Sequence, residues 1–359
     1  MGKREGEIET NSGSGMVSVI VPVYNSASTL NKCVKSVLRQ SYSYLKLIIV
    51  IDGAGGEQEK CKEIGEAYKK RDDRVEVIVQ DHSGINHTRF SGLKHADGEF
   101  VLFVDADDWI EPDMISSMIG AMRLDAFDYV MVPFWRRLGP FRVKYPLPAE
   151  GPVYSPELFE KYFISFFGKN LLPVNAFGKL YRRSVIENSG LSPNDFAMGE
   201  DLVFNMRLFP YLKSIYLLDK PLYNYRYGGM TSKYNPFLLK DLKSQYLIKV
   251  GMIDSFSYHV ADDLVRIEMV NILRADVKQR IINKGESCKH SIIDGIEREI
   301  ADEFWTDVLK INKSDYTSDP FYKALSAKSS SSLYDLCERE VIASRPRRLC
   351  EKVLFALFG

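Results

Sequence analysis

Three carboxylates fall within four residues at Asp105-Ala106-Asp107-Asp108. Crowded together they repel, so they must be solvated, paired or offset by a cation. Hard carboxylate oxygens suit Mg²⁺ or Mn²⁺, and those ions also take phosphate oxygens. The same segment reads equally as a solvated turn followed by a helix cap, since Asp favours both. A second carboxylate, Asp52, precedes Gly53. It can accept from a base N–H or a ribose hydroxyl, or simply end a strand in a turn. A third acidic group, Gly199-Glu200-Asp201, opens the run Leu202-Val203-Phe204. In a first helical turn such acids meet exposed N–H groups and the positive end of the helix dipole. That suits a general base as well as a plain cap. Arg89 and Arg226 each carry the planar fork that grips a diphosphate, although ordinary surface arginines carry it too. His82, His87 and His95 stand in no ligand-like pairing with these acids, so no metal role falls to them.

A repeating pattern of strands and helices must position these groups. Residues 17–24 form an apolar, β-branched run that ends at Asn25-Ser26. Leu30, Cys33, Val34, Val37 and Leu38 then keep the spacing of a helix face, with Ser26 or Ser28 as its cap. Residues 45–51 make a second apolar strand, stopping at Asp52-Gly53. Helix 57–70, strand 75–79, helix 85–96 and strand 100–104 follow, the last running straight into the acidic cluster. Pro112 fits the first turn of the next helix, and 129–134 reads as a fifth strand. Continuous apolar strands alternating with helices imply an α/β fold with a mostly parallel sheet covered on both faces. Ligands of such sheets sit beyond the carboxyl ends of the strands. There Tyr24-Asn25, Asp52-Gly53, Asp81-His82 and Asp105 to Asp108 would converge.

The later chain is less regular. Pro146, Pro148, Pro152 and Pro156 mark a loop-rich stretch, and 155–167 and 200–209 read as helices. After Asn235 the spacing is mainly helical, at Leu238, Leu239, Leu242, Tyr246 and Val250 and again over 265–282, with a serine-rich linker at 328–332. The division expected is a disordered tail over 1–15, a domain over 16–235 with halves 16–135 and 136–235, and a helical region over 236–359.

The 359 residues are 45% hydrophobic and 27% charged, ordinary for a globular chain that builds its own core. Lys plus Arg and Asp plus Glu both total 48, which argues against a broadly basic nucleic-acid binder. The five cysteines are scattered and none forms a C-x-x-C pair. That speaks against zinc or a disulfide framework and for a reduced, cytoplasmic setting. No apolar run approaches the ~20 residues that span a bilayer, and the first fifteen residues lack the apolar core of a secretory signal. At the other end, Arg345, Arg347 and Arg348 precede Leu349, Val353, Leu354, Phe355, Leu357 and Phe358. A basic stretch beside an apolar helix face can lie peripherally on the inner face of a membrane, or dock on the domain.

Taken together, the segments resemble glycosyltransferase family 2, in particular the bacterial enzymes that build capsule, exopolysaccharide and lipopolysaccharide. The matching text is VSVIVPVYN at 17–25, LIIVIDG at 47–53, Thr88-Arg89 with Gly92-Leu93, and ADGEFVLFVDADDW at 96–109. GKLYRRS at 178–184, GEDLVF at 199–204 and PLYNYR at 221–226 complete it. Order and spacing over roughly residues 16–232 carry the resemblance. It implies the GT-A fold, a Rossmann-like nucleotide-binding sheet fused to an acceptor half. It also implies an inverting transfer of sugar from a nucleotide-sugar donor, a UDP-sugar foremost. The acceptor would be a hydroxyl of a saccharide or lipid-linked saccharide. On this resemblance Asp52 contacts the base, with Pro22, Val23 and Tyr24 lining the same pocket. Asp105, Ala106 and Asp107 form the D-x-D motif that meets ribose and a Mn²⁺ or Mg²⁺ ion, with Asp108 sharing the work. Asp201, beside Glu200, takes the position of the catalytic base. The chain departs from the family pattern at Ile51, Ala54-Gly55-Gly56 and Phe90.

The rival reading is a non-catalytic nucleotide-sugar-binding subunit of a polysaccharide assembly complex, against which Asp107, Glu200 and Asp201 speak. An oxidoreductase lacks its G-x-G-x-x-G after the first strand.

Overall fold

A computed structural model describes residues 15–196, 198–227, 238–284 and 288–346. The first half runs β1 (Val17–Val23), α1 (Ala27–Leu38), β2 (Leu45–Asp52), α2 (Gly56–Lys69), β3 (Val75–Gln80), α3 (Ile85–Lys94), β4 (Phe100–Phe103), β5 (Trp109–Ile110) and α4 (Met114–Met122). Next come β6 (Tyr129–Met131), β7 (Phe134–Leu138), β8 (Phe141–Tyr145), β9 (Gly151–Tyr154) and α5 (Glu157–Tyr162). Then follow β10 (Lys179–Arg182), α6 (Arg183–Asn188), α7 (Glu200–Leu208), β11 (Ser214–Leu217) and β12 (Tyr223–Arg226). The remainder is helical: α8 (Leu238–Ser255), α9 (Asp262–Lys284), α10 (Lys289–Ile300), α11 (Phe304–Val308), α12 (Ser314–Thr317), α13 (Pro320–Ser326) and α14 (Ser330–Ala343).

The main sheet has the order β3-β2-β1-β4-β10-β6-β11-β9. Its first four strands are parallel, and the long apolar runs of β1, β2 and β4 suit burial on both faces. Beyond β4 the sheet is mixed, because β10 runs antiparallel to both β4 and β6. A smaller sheet, β5-β12-β7-β8, stands beside it.

Side-chain alternation sorts the strands between two cores. Val19, Val21, Leu47, Ile49 and Leu102 face the core shared with α1 and α4. Ile20, Ile48, Val50, Val101 and Phe103 face the other, which continues without a break into Leu239, Val265, Met269 and Trp305. The C-terminal helices are therefore packed on the sheet's own core. Gly92 lets α3 lie close to β1, since a Cβ there would fall 2.4 Å from Ile20 Cγ2. Arg89 stands one turn earlier on the same helix.

Several local expectations change. The strand expected at 129–134 is split, with β6 in the main sheet and β7 in the small one. Pro133, which has no N–H for a ladder, lies at the break. The helix expected at 155–167 is α5 followed by a 3-10 turn at Phe163–Phe166. The serine-rich 328–332 is no linker, because Ser330 opens α14. Ser26 does sit at the cap of α1, but its hydroxyl donates to the Tyr24 carbonyl. Pro112 precedes α4, and its carbonyl accepts from Ser41 at 2.8 Å.

The tail expected over 1–15 lies, apart from Gly15, outside the described residues, and so does the C-terminal stretch expected to meet a membrane or dock on the domain, apart from Arg345. Among the described residues no helix is long and apolar enough to cross a membrane.

Candidate active site

A cavity of about 1030 Å³ opens beyond the carboxyl ends of the parallel strands, large enough for two small ligands side by side. Pro22, Val23, Tyr24, Asp52, Arg89, Asp105, Ala106, Asp107, Glu200 and Asp201 all line it. Of the residues expected at the site, Asp108 and Arg226 do not.

Arg89 is the hub. It projects from α3, is 4% exposed, and reaches acids from two distant segments. Its Nη2 donates to Asp105 Oδ1 at 3.0 Å, and its Nη1 pairs with Asp201 Oδ1. Glu200 Oε1 lies 3.7 Å from the same Nη1. A diphosphate grip was one expectation for Arg89; its terminal nitrogens are instead engaged by carboxylates. The other Asp201 oxygen accepts from the Ala176 N–H at 2.9 Å. Asp201 is thus oriented from both sides.

The acids around Arg89 are strained by burial. Desolvation pushes the Asp105 carboxyl above the usual range; Arg89 pulls it back, and Asp201 and Asp107 push it up again. Glu200 is raised by burial and by Asp201 against the pull of Arg89. Burial raises Asp107 as well.

Asp108, expected to share a cation, has both oxygens engaged. Tyr223 Oη donates to Oδ2 at 2.6 Å and the Arg226 N–H donates to Oδ1 at 2.7 Å. The carboxylate is 1% exposed and ties β12 to the loop after β4. Tyr223 also accepts from the Asp105 N–H at 3.2 Å, so one phenol fixes two members of the acidic cluster. Sequence reasoning quoted Tyr223 within its motif without giving it this task. The Arg226 Nε donates to the Asp107 carbonyl at 3.2 Å from the rim.

Asp52 is 2% exposed and its oxygens are also occupied. They accept from Gln80 Nε2 at 3.0 Å, the Ser83 N–H at 2.8 Å and the Gly84 N–H at 3.0 Å, and meet His82 Nδ1 at 2.8 Å. These bonds shape the turn between β3 and α3. His82 is thereby set against Tyr24, ring centroids 4.6 Å apart and nearly parallel. Both rings are accessible, offering a planar face beside Pro22 and Val23. A base can stack on such a face.

The residues fit a divalent cation of the hard type. Asp107 is held by no other side chain among the described residues, and Asp105 offers oxygen two positions away. No three His, Cys, Asp or Glu side chains among the described residues form a metal cage by themselves. That suits an ion which takes one or two carboxylates and completes its shell on substrate phosphates.

Comparison with known proteins agrees with this geometry. The Glycosyl transferase family 2 model matches residues 18–190. EpsJ of Bacillus subtilis, an uncharacterized glycosyltransferase, is 31% identical over 247 residues, covering 67% of this chain and 70% of EpsJ. EpsH of the same organism, a putative glycosyltransferase, is 32% identical over 213 residues, covering 58% of this chain and 60% of EpsH. TarS residues 1–349 from S. aureus, solved with UDP-GlcNAc, superimposes with a TM-score of 0.65 over 92% of both chains. At 20% identity that likeness speaks for the fold, which is GT-A-like as expected. A domain match of that position, joined to a relative followed over most of its length, makes this chain a member of glycosyltransferase family 2.

Proposed function

We propose that the chain is an inverting glycosyltransferase of bacterial surface polysaccharide synthesis. It would move a hexosyl or N-acetylhexosaminyl group from a UDP-sugar to a hydroxyl of a saccharide or lipid-linked saccharide. The observation that carries this reading is the convergence of Asp105, Glu200 and Asp201 on buried Arg89, at the mouth of the parallel sheet. A cytoplasmic setting, at the inner membrane face when the acceptor is lipid-linked, belongs to the same reading. TarS binding UDP-GlcNAc supports the choice of a UDP-sugar.

In this reading Tyr24 and His82 stack on the base, and Asp105 and Asp107 face the ribose and diphosphate. A Mg²⁺ or Mn²⁺ ion held by those two carboxylates would act as a Lewis acid that offsets charge on the departing nucleoside diphosphate. Asp201, fixed by Arg89 and Ala176, accepts the proton of the attacking hydroxyl. The hydroxyl oxygen bonds to the anomeric carbon as the bond to the diphosphate oxygen breaks. A single displacement inverts the configuration and requires no glycosyl-enzyme carboxylate, unlike a retaining hydrolase.

Calorimetric titration with UDP, GDP, CDP and dTDP, each with Mn²⁺ and with chelator, tests the reading. Metal-dependent binding of UDP above the others is expected. Absence of binding by every nucleotide would sink it.

A further inference from the structure

The cavity extends past Asp201 to a wall that belongs to the C-terminal helices, outside the residues matched by the family model. Leu242, Gln245, Tyr246 and Lys249 line it from α8. Val265, Glu268, Met269 and Ile272 line it from α9. Each set keeps the spacing i, i+3, i+4, i+7 of a single helix face. Such stripes are normally apolar throughout where two helices pack.

Here an ion pair sits between them. Lys249 is 4% exposed, and its Nζ lies 2.5 Å from Glu268 Oε2. Lys249 is the one hydrogen-bonding partner of Glu268 among the described residues, and that carboxylate is partly open to the cavity. A buried ion pair is seldom more stabilising than well-packed apolar residues of similar size. Stability therefore gives no reason for charge at this place. The pair offers a donor and an acceptor side by side and carries no net charge, which matches adjacent hydroxyls of an uncharged sugar. Leu242, half-buried on the same wall, supplies apolar area for the C–H face of such a ring.

We propose that Lys249 and Glu268 form the subsite for an uncharged saccharide unit of the acceptor, so that the C-terminal helices select the acceptor. This deepens the glycosyltransferase reading and rests on it.

The test uses the full chain and ligand-observed NMR with octyl glycosides of glucose, galactose and N-acetylglucosamine, and octyl glucuronide as an anionic control. Two variants are compared, Glu268→Gln and Lys249→Met/Glu268→Leu, the second leaving no unpaired charge. Circular dichroism and thermal unfolding verify that both are folded. At least one neutral glycoside should bind the wild type and weaken about tenfold in each variant, the scale of one lost charged hydrogen bond. The proposal is overturned if no neutral glycoside binds, if binding survives undiminished in both variants, or if only the glucuronide binds. UDP titration of the same samples reads the donor end separately. Failure of every neutral glycoside to bind the wild type, with UDP binding retained, strikes this proposal alone.

Discussion

Arg89 and Asp201, 112 residues apart in sequence, form an ion pair through which α3 grips the first turn of α7. Replacing Arg89 with Met strands three buried or half-buried acids without their shared cation. Loss of one partner of a buried pair costs roughly 3–5 kcal/mol. Urea denaturation of Arg89→Met should show a loss of that order.

Asp201→Asn keeps the shape of the side chain and one of its two accepting oxygens but removes its capacity to take a proton. Turnover should fall ~10²–10⁴-fold, the usual contribution of a placed base. UDP affinity should stay close to that of the wild type. Full activity in a transfer assay would remove Asp201 from the mechanism.

Asp107→Ala takes away a carboxylate that accepts no hydrogen bond from another side chain among the described residues and feels the charge of Arg226. Calorimetry should then show UDP binding that no longer responds to Mn²⁺ or to chelator. Folding should be little affected, because Asp107 ties no elements together through its side chain.

Gly92→Ala places a methyl group against Ile20 and Val50, at 2.4 and 3.3 Å from their nearest methyls. The helix α3 must move off β1, taking Arg89 with it. Overpacking of this kind costs ~1–3 kcal/mol. Thermal unfolding should report the loss, and activity should fall further than a remote substitution of equal cost.

Lys179 gives a pH signature. Burial pulls its amine down to about 7 from 10.5, against the opposing charge of Asp201. Between those values the unfolded chain holds a proton that the folded chain has released, so stability rises with pH across the window. Below about 7 both forms are protonated, and the penalty stays constant and greatest. Wild type minus Lys179→Met in unfolding free energy should therefore climb from pH 7 towards 10.5. A flat difference would contradict the buried neutral amine.

Much of this was legible in the sequence, for physical reasons that can be named. β1, β2 and β4 are buried on both faces, so their text is continuously apolar and hard to mistake. Asp105, Glu200 and Asp201 stand at strand and helix ends, where sequence marks them plainly. What the sequence does not carry is pairing over distance. Nothing near Arg89 says that its partners are acids 16 and 112 residues away. Nothing near Asp108 reveals that Tyr223 and Arg226 occupy it. Asp52 reads as a ligand for a base because its partners Gln80, His82, Ser83 and Gly84 carry no mark of that pairing in the text. The signal for Lys249 and Glu268 was present but faint: charged residues on largely apolar helix faces.

The sheet order has a consequence for the chain as it is made. β4 ends at Phe103, and its inner-side neighbour β10 begins only at Lys179. β6 is synthesised in between but pairs with β10 and β11, never with β4. Until Lys179 to Arg182 leave the ribosome, a nascent chain that has assembled β1 to β4 carries an unpaired edge. Its residues Phe100, Val101, Leu102 and Phe103 are all buried in the finished protein. Open apolar edges invite strand addition from other chains. Interruption of synthesis between β4 and β10 should therefore yield the fragments most prone to aggregate, while fragments extending through β10 have that edge closed.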